Sequence, residues 1–239
     1  MEEIIKVSQL CKSYGEKTAV DNLNLSVKQG TVVGILGANG AGKSTSIECI
    51  LGTKKADSGY VSICGMNPIK DRKKLFEKIG VQFQDSNYQS EIRVDELCEE
   101  TACIYKNPAD WRELLKEFGI SDKERNQVKS LSGGERQRLF IVLALIPQPE
   151  VVFLDELTTG LDARARREVW RTLEKLKKDG LTIILTSHFM DEVEILCDEI
   201  LILNKGKTVF YGTVEEAIEN SPCDKFEDAY LWYSDEEGK

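Results

Sequence analysis

The chain has 239 residues, 41 % hydrophobic and 31 % charged, with a net charge of −9. That hydrophobic share supports a buried core in one large domain or two small lobes. The acidic balance excludes a surface built to neutralise nucleic-acid phosphates or to adsorb directly to anionic lipid.

The start, Met1-Glu2-Glu3-Ile4, lacks the basic and then apolar pattern of a signal peptide, and no apolar run approaches the ~20 residues of a membrane span. Residues 4–10 and 23–27 are predicted strands, with a turn at Tyr14-Gly15-Glu16. Residues 32–36 form a continuous apolar run ending at a glycine, the pattern of a fully buried strand. A helix over 43–51 opens straight from the glycine-rich stretch that follows. Further strands are predicted at 60–64 and 79–83.

From about residue 85 the strand signals stop. Residues 94–105, 111–118 and 132–146 read as helices, the first two separated by Asn107-Pro108. Strands return at 151–154, 181–186 and 200–203, alternating with a charged helix over 163–178. Residues 234–239 are polar, acidic and expected to fray. Strand–helix alternation on both sides of a helical stretch predicts an α/β core carrying a helical lobe. The cysteines at 11, 49, 64, 98, 103, 197 and 223 form no Cys-x-x-Cys pair and no zinc spacing, and read as thiols in a reducing compartment.

Gly37-Ala38-Asn39-Gly40-Ala41-Gly42-Lys43-Ser44 is a P-loop: glycine, four residues, then Gly-Lys-Ser. Polyphosphate is cradled by backbone N–H groups, so side chains must be absent where the main chain wraps it. Lys43 supplies a charge to the β- and γ-phosphates, Ser44 a hydroxyl to Mg²⁺, and the helix N-terminus a favourable dipole. Val151-Val152-Phe153-Leu154-Asp155-Glu156 is an apolar strand closed by two carboxylates, a Walker-B pattern. Those acids fall at the carboxyl edge of a parallel sheet, where such sheets bind ligands. Asp155 is the candidate for Mg²⁺ and Glu156 for polarising the attacking water.

Many nucleotidases share both motifs. Leu131-Ser132-Gly133-Gly134-Glu135-Arg136-Gln137-Arg138 separates them: Ser132 is a good N-cap, and the two glycines admit a phosphate at the start of the next helix. That string resembles the signature of ABC transporter ATPases, a resemblance extending over residues 1–215. It implies a P-loop NTPase core of ABC ATPase type with an antiparallel β subdomain and an inserted helical subdomain. The expected division is a core of 1–84 and 147–220, a helical subdomain of 85–146 and an acidic C-terminal tail of 221–239.

In that family two nucleotide domains pair head to tail, so the resemblance implies that Ser132, Gly133 and Gly134 meet ATP held by a partner subunit. ATP and Mg²⁺ are then expected on Tyr14, Gly37, Asn39, Gly40, Ala41, Gly42, Lys43, Ser44, Thr45, Gln84 and Asp155. Tyr14 resembles the aromatic that stacks on adenine, Gln84 the glutamine that senses Mg²⁺ and water (with Gln82 a competing candidate), and Asp162 the aspartate linking the two sites. His188, the single histidine, stands in Thr186-Ser187-His188 like the family's switch histidine. The catalytic set is thus Glu156, His188, Lys43 and Gln84. The usual proline after the catalytic glutamate is Leu157 here, which frees one backbone angle.

The strings from Gly160 to Trp170 and from Ser187 to Glu192 resemble multidrug and ABC-2 type exporters. The implied partners are a second ABC ATPase subunit and an integral membrane permease, holding the chain at the cytoplasmic face of the membrane without nucleic acid or direct lipid insertion. The rivals are a non-transport ABC ATPase acting on ribosomes or DNA, and a regulatory module that binds ATP without turnover. A single cassette without a heptad insertion weighs against the first, and the intact Lys43, Asp155, Glu156 and His188 against the second.

Overall fold

In the computed structural model, which describes residues 2–82, 88–89, 91–156, 158 and 160–234, the continuous apolar runs become interior strands. β3 (Val32–Leu36), β6 (Val151–Leu154) and β7 (Thr182–Thr186) are buried at every position. Such strands are covered on both faces. They lie within a six-stranded sheet of order β5-β6-β7-β3-β8-β9, completed by β5 (Ile79–Gln82), β8 (Glu199–Asn204) and β9 (Lys207–Gly212). Neighbours from β5 through β8 are parallel, and β9 closes the edge antiparallel. The loops after β3, β6 and β7 therefore leave from one edge, and the site is built there.

A second, antiparallel sheet places β1 (Glu3–Tyr14) between β2 (Lys17–Lys28) and β4 (Ser58–Ile63). β1 and β2 are longer than their predicted runs. Gln9 and Asn22 take positive φ of 50° and 54° at register shifts in this ladder. A bulge breaks the in–out alternation on which strand prediction rests, so the reading stopped near it.

Successive residues of the interior strands serve opposite faces. Val33, Ile35, Phe153 and Ile184 pack toward Ile5, Leu10 and Val61 of the antiparallel sheet. Val152, Leu154, Ile183 and Leu185 pack toward the helices of the insertion, α3 (Val94–Cys103), α4 (Trp111–Glu117) and α5 (Gly133–Leu145), and toward α6 (Ala163–Lys178). The helices expected at 94–105, 111–118, 132–146 and 163–178 are thus present within two residues at each end.

Several elements were not anticipated: β9, α2 (Arg72–Leu75), α7 (Met190–Leu196), α8 (Val214–Glu219) and α9 (Phe226–Ser234). The last of these corrects the reading of 221–239 as a tail. Phe226, Ala229 and Tyr233 are buried, at the i, i+3, i+7 spacing of one helical face, while Glu227 and Asp228 stay outside. Phe226 and Tyr233 pack with Val193 of α7 and Ile200 and Ile202 of β8. The acidic residues obscured a short apolar stripe. Residues 235–239 lie outside the described part.

Candidate active site

The loop 37–42 joins the end of β3 to α1 (Lys43–Ile50). Gly42 has φ 107°, and a Cβ there would sit 2.3 Å from the Ala19 carbonyl oxygen. The loop therefore has to be glycine where it passes β2. No side chain caps α1, which leaves the first N–H groups of the helix directed at the cleft, a ready anion site.

Lys43 folds back over this loop. Its Nζ donates to the carbonyl oxygens of Gly37 (2.7 Å) and Ala38 (3.3 Å), and the residue is only 8 % exposed. Burial pulls the Lys43 amine below its usual range, while the carboxylates of Glu156 and Asp155 oppose that shift. A cation thus stands ready where the loop would receive an anionic ligand.

Asp155 and Glu156 follow β6 at the same sheet edge. Thr186, the last residue of β7, donates its hydroxyl to Asp155 Oδ1 and accepts the Glu156 backbone N–H at 2.9 Å. Gln82 Nε2, at the end of β5, reaches the Asp155 carbonyl at 3.2 Å, and Gln137 Nε2 on α5 reaches the Glu156 carbonyl at 3.4 Å. Glu156 itself has φ 51°, a conformation costing about 1–3 kcal/mol in a side-chain-bearing residue and held only by its surroundings. Its Oε1 accepts from His188 Nε2 at 2.8 Å. His188 reaches it because β7 ends beside β6 and the chain turns there at Ser187.

One cleft of about 510 Å³ is lined by Tyr14, Lys17, Ala19, Asn39, Gly40, Gly42, Lys43, Ser44, Thr45, Asp155 and Glu156. Most residues expected to meet nucleotide and metal within one chain are therefore together. Tyr14 forms the outer end of the cleft, half exposed, with the Lys12 and Lys54 ammonium groups 5.3 and 5.8 Å from its ring centroid. Ser132, Gly133, Gly134 and Asp162 do not line the cleft. Ser132 caps α5 in a reciprocal pair with Glu135, and Asp162 caps α6 through the N–H groups of Arg164 and Ala165. Gly134 lies against Leu161, whose Cδ2 would be 2.9 Å from a Cβ at that position. Gln84 and Leu157 lie outside the described residues. Of the two candidate glutamines, Gln82 is buried and tied to the end of β6.

Sequence reasoning passed over Lys17, Ala19, Gln137 and, above all, Thr186. A polar residue closing an apolar strand at the carboxyl edge was the available signal, the same one that singled out Asp155. Thr186→Val keeps the shape but removes the hydroxyl shared by both acids. It is expected to lower ATP turnover ~10–100-fold through misplacement of Glu156, and to destabilise the fold by about 1 kcal/mol for the hydrogen bond removed. ATPase assays and denaturant unfolding check both; an unchanged rate would show that Thr186 does not set the geometry.

A phosphate-cradling loop at a helix start, with a lysine and two strand-end carboxylates facing it across one cleft, defines a P-loop nucleoside triphosphatase. Comparison with known proteins narrows the class. Residues 20–159 match the family model described as ABC transporter. The Nod factor export ATP-binding protein I of Ralstonia nicotianae is 37 % identical over 230 residues, spanning 94 % of this chain and 72 % of that one. The bacitracin transport ATP-binding protein BcrA of Bacillus licheniformis is 38 % identical over 212 residues, 87 % of this chain and 69 % of that one. An ATP-binding cassette solved as a dimer in a post-hydrolysis state, bound to ADP and Pi, superposes with a TM-score of 0.79 at 27 % identity, covering 87 % of this chain and 98 % of that one. The chain belongs to the ABC transporter family, as its ATP-binding and ATP-hydrolysing subunit.

Proposed function

We propose that this chain powers an exporter: two copies close on ATP, hydrolyse it, and pass the motion to a separate membrane permease. The observation that carries this reading is the separation of the motifs. Lys43, Ser44, Asp155 and Glu156 line one cleft, whereas Ser132 and Gly134 lie off it, Ser132 capping α5 and Gly134 against Leu161. A signature outside its own chain's cleft is available to ATP bound by another copy, and the dimeric state of the related cassette supports that pairing. In the dimer Ser132, Gly133 and Gly134 meet the partner's γ-phosphate, and Asp162 links the two sites.

Within the cleft Tyr14 stacks on adenine. The backbone of 37–42 and the N–H groups at the start of α1 hold the phosphates, together with Asn39 and Thr45. Lys43 turns its ammonium from the loop carbonyls to the β- and γ-phosphates. The Ser44 hydroxyl and the Asp155 carboxylate are hard oxygen donors lining one cleft, the chemistry that Mg²⁺ selects. They would hold the ion, with Gln84 as a further contact. When bound, Mg²⁺ offsets negative charge on the phosphate oxygens. Glu156 takes the proton of the attacking water, and His188 keeps that carboxylate aimed.

The helical subdomain 85–146 faces the permease, and the core 1–84 with 147–220 hydrolyses ATP. No helix among the described residues is long and apolar enough to cross a membrane. The subunit is placed at the cytoplasmic face by its permease. The names of relatives that export Nod factor or transport bacitracin support the direction. Affinity capture of the tagged chain from detergent-solubilised membranes is expected to retrieve a multi-span membrane protein, with ATPase activity in the complex. Recovery of ribosomes in its place would favour the non-transport rival.

A further inference from the structure

Glu192, on α7, is fully buried, an uncommon place for a carboxyl group. Its two oxygens are held by different elements. Oε1 accepts the Trp170 indole N–H from α6 at 2.9 Å, and Oε2 accepts the Ser187 hydroxyl. Trp170 and Ser187 are themselves 5 % and 2 % exposed. The Ser187 oxygen in turn accepts the Phe189 N–H at 3.0 Å, closing a turn around the residue between them. That residue is His188, whose ring meets Glu156. α6 grips the same turn a second time: the Arg166 guanidinium lies 4.1 Å from the Phe189 ring centroid and 3.5 Å from Asp191 Oδ2.

The geometry points to Glu192 as a positioning residue for hydrolysis, which clamps the 187–189 turn to α6 so that His188 meets Glu156. A leucine would fill this space without the desolvation a carboxyl suffers. What a leucine lacks is two acceptors that join an indole N–H on one helix to a hydroxyl in a separate turn. Burial pushes the Glu192 carboxyl above the ordinary carboxylate range, and the hydroxyl of Ser187, the Trp170 indole, the nearby Thr158 hydroxyl and the charge of Arg166 oppose that shift. The group is therefore retained at an electrostatic cost that apolar packing alone would not require. Without Glu192, the Ser187 hydroxyl loses this buried acceptor, and the turn around His188 keeps only the Arg166 contacts to α6.

This inference rests on the roles proposed above for His188 and Glu156, and a double-mutant cycle tests it separately from them. In the full-length subunit, Glu192→Ala is expected to lower kcat for ATP ~10–100-fold by misplacing a catalytic group, with KM for ATP unchanged. Glu192→Gln recovers most of that rate, because its amide still accepts from Trp170 and donates to the Ser187 oxygen. In a His188→Ala background, Glu192→Ala should add no further loss, since the group it positions is gone. Should Glu192→Ala fail to fold, Trp170→Phe removes one of the two hydrogen bonds while keeping a ring in place, and the same cycle is run with it. An equal loss from the clamp mutation with and without His188, or a raised KM at normal kcat, overturns the inference alone. A His188→Ala subunit that hydrolyses at the wild-type rate overturns the reading of His188, and the inference with it.

Discussion

Glu156→Gln should abolish steady-state hydrolysis while leaving ATP binding intact and trapping a nucleotide-bound dimer. The substitution changes one atom type and no volume. The backbone of residue 156 stays tied to Thr186, and the amide oxygen still accepts from His188. What disappears is the ability to take a proton from water, and loss of a general base of this kind lowers the rate ~100–10,000-fold. In the proposed dimer closure depends on the phosphates, Lys43 and the signature, so it should persist in this variant, with no hydrolysis to reopen the pair. Single-turnover ATPase assays and size-exclusion chromatography with ATP test the two halves together. Near-normal turnover in this variant would remove Glu156 from its assigned role.

Lys43→Ala should act on the opposite half of the cycle. Removing one preorganised charge from a phosphate site costs ~100–1,000-fold in rate, and here nucleotide binding falls as well, because the Lys43 ammonium lies directly on the loop. The apo protein should not suffer in parallel. Burial pulls the Lys43 amine below the ordinary range of a lysine, which means that the fold disfavours the charged form. With the folded pKa below the unfolded one, the penalty is present at neutral pH and fades as pH rises through that interval. The alanine variant is therefore expected to unfold no earlier than wild type without nucleotide, yet to lose the stabilisation that ATP confers by mass action. Thermal denaturation with and without ATP reads both. A variant that still gains stability from ATP as the wild type does would take Lys43 out of the binding site.

The parts of the site legible in sequence are those where chemistry forces a local pattern. Backbone wrapping of phosphate demands the run from Gly37 to Gly42, and a buried strand delivering acids to a sheet edge demands four apolar residues before Asp155. Ser132 as the cap of α5 follows from residue type and position, and the capping pair with Glu135 is present. The parts that escaped are those made by residues distant in the chain. Thr186 shows in sequence only as a polar end to an apolar strand; its hold on both acids exists because β7 lies beside β6. In sequence Glu192 is only the end of the Ser187–Glu192 string; the packing of α7 on α6 is what buries it against Trp170. β9 and α9 were missed for a related reason. Each is short, with mixed polarity, and is stabilised by what it lies against: β8 for one, α7 and β8 for the other.

For this protein, then, sequence alone determined the fold class, the nucleotide loop, the acidic pair and the family. The loop and the acidic pair rest on contiguous residues whose spacing is itself the physical requirement, the α/β class on the alternation of strand and helix signals, and the family on the resemblance carried by the 131–138 string. The tertiary structure decided which groups touch. It set His188 on Glu156, Thr186 between the two acids and Glu192 beneath the turn, and it kept the signature off the cleft of its own chain. Those relations depend on strand order and helix packing, which bring together positions far apart in the chain, and no local pattern of residues encodes such a distance.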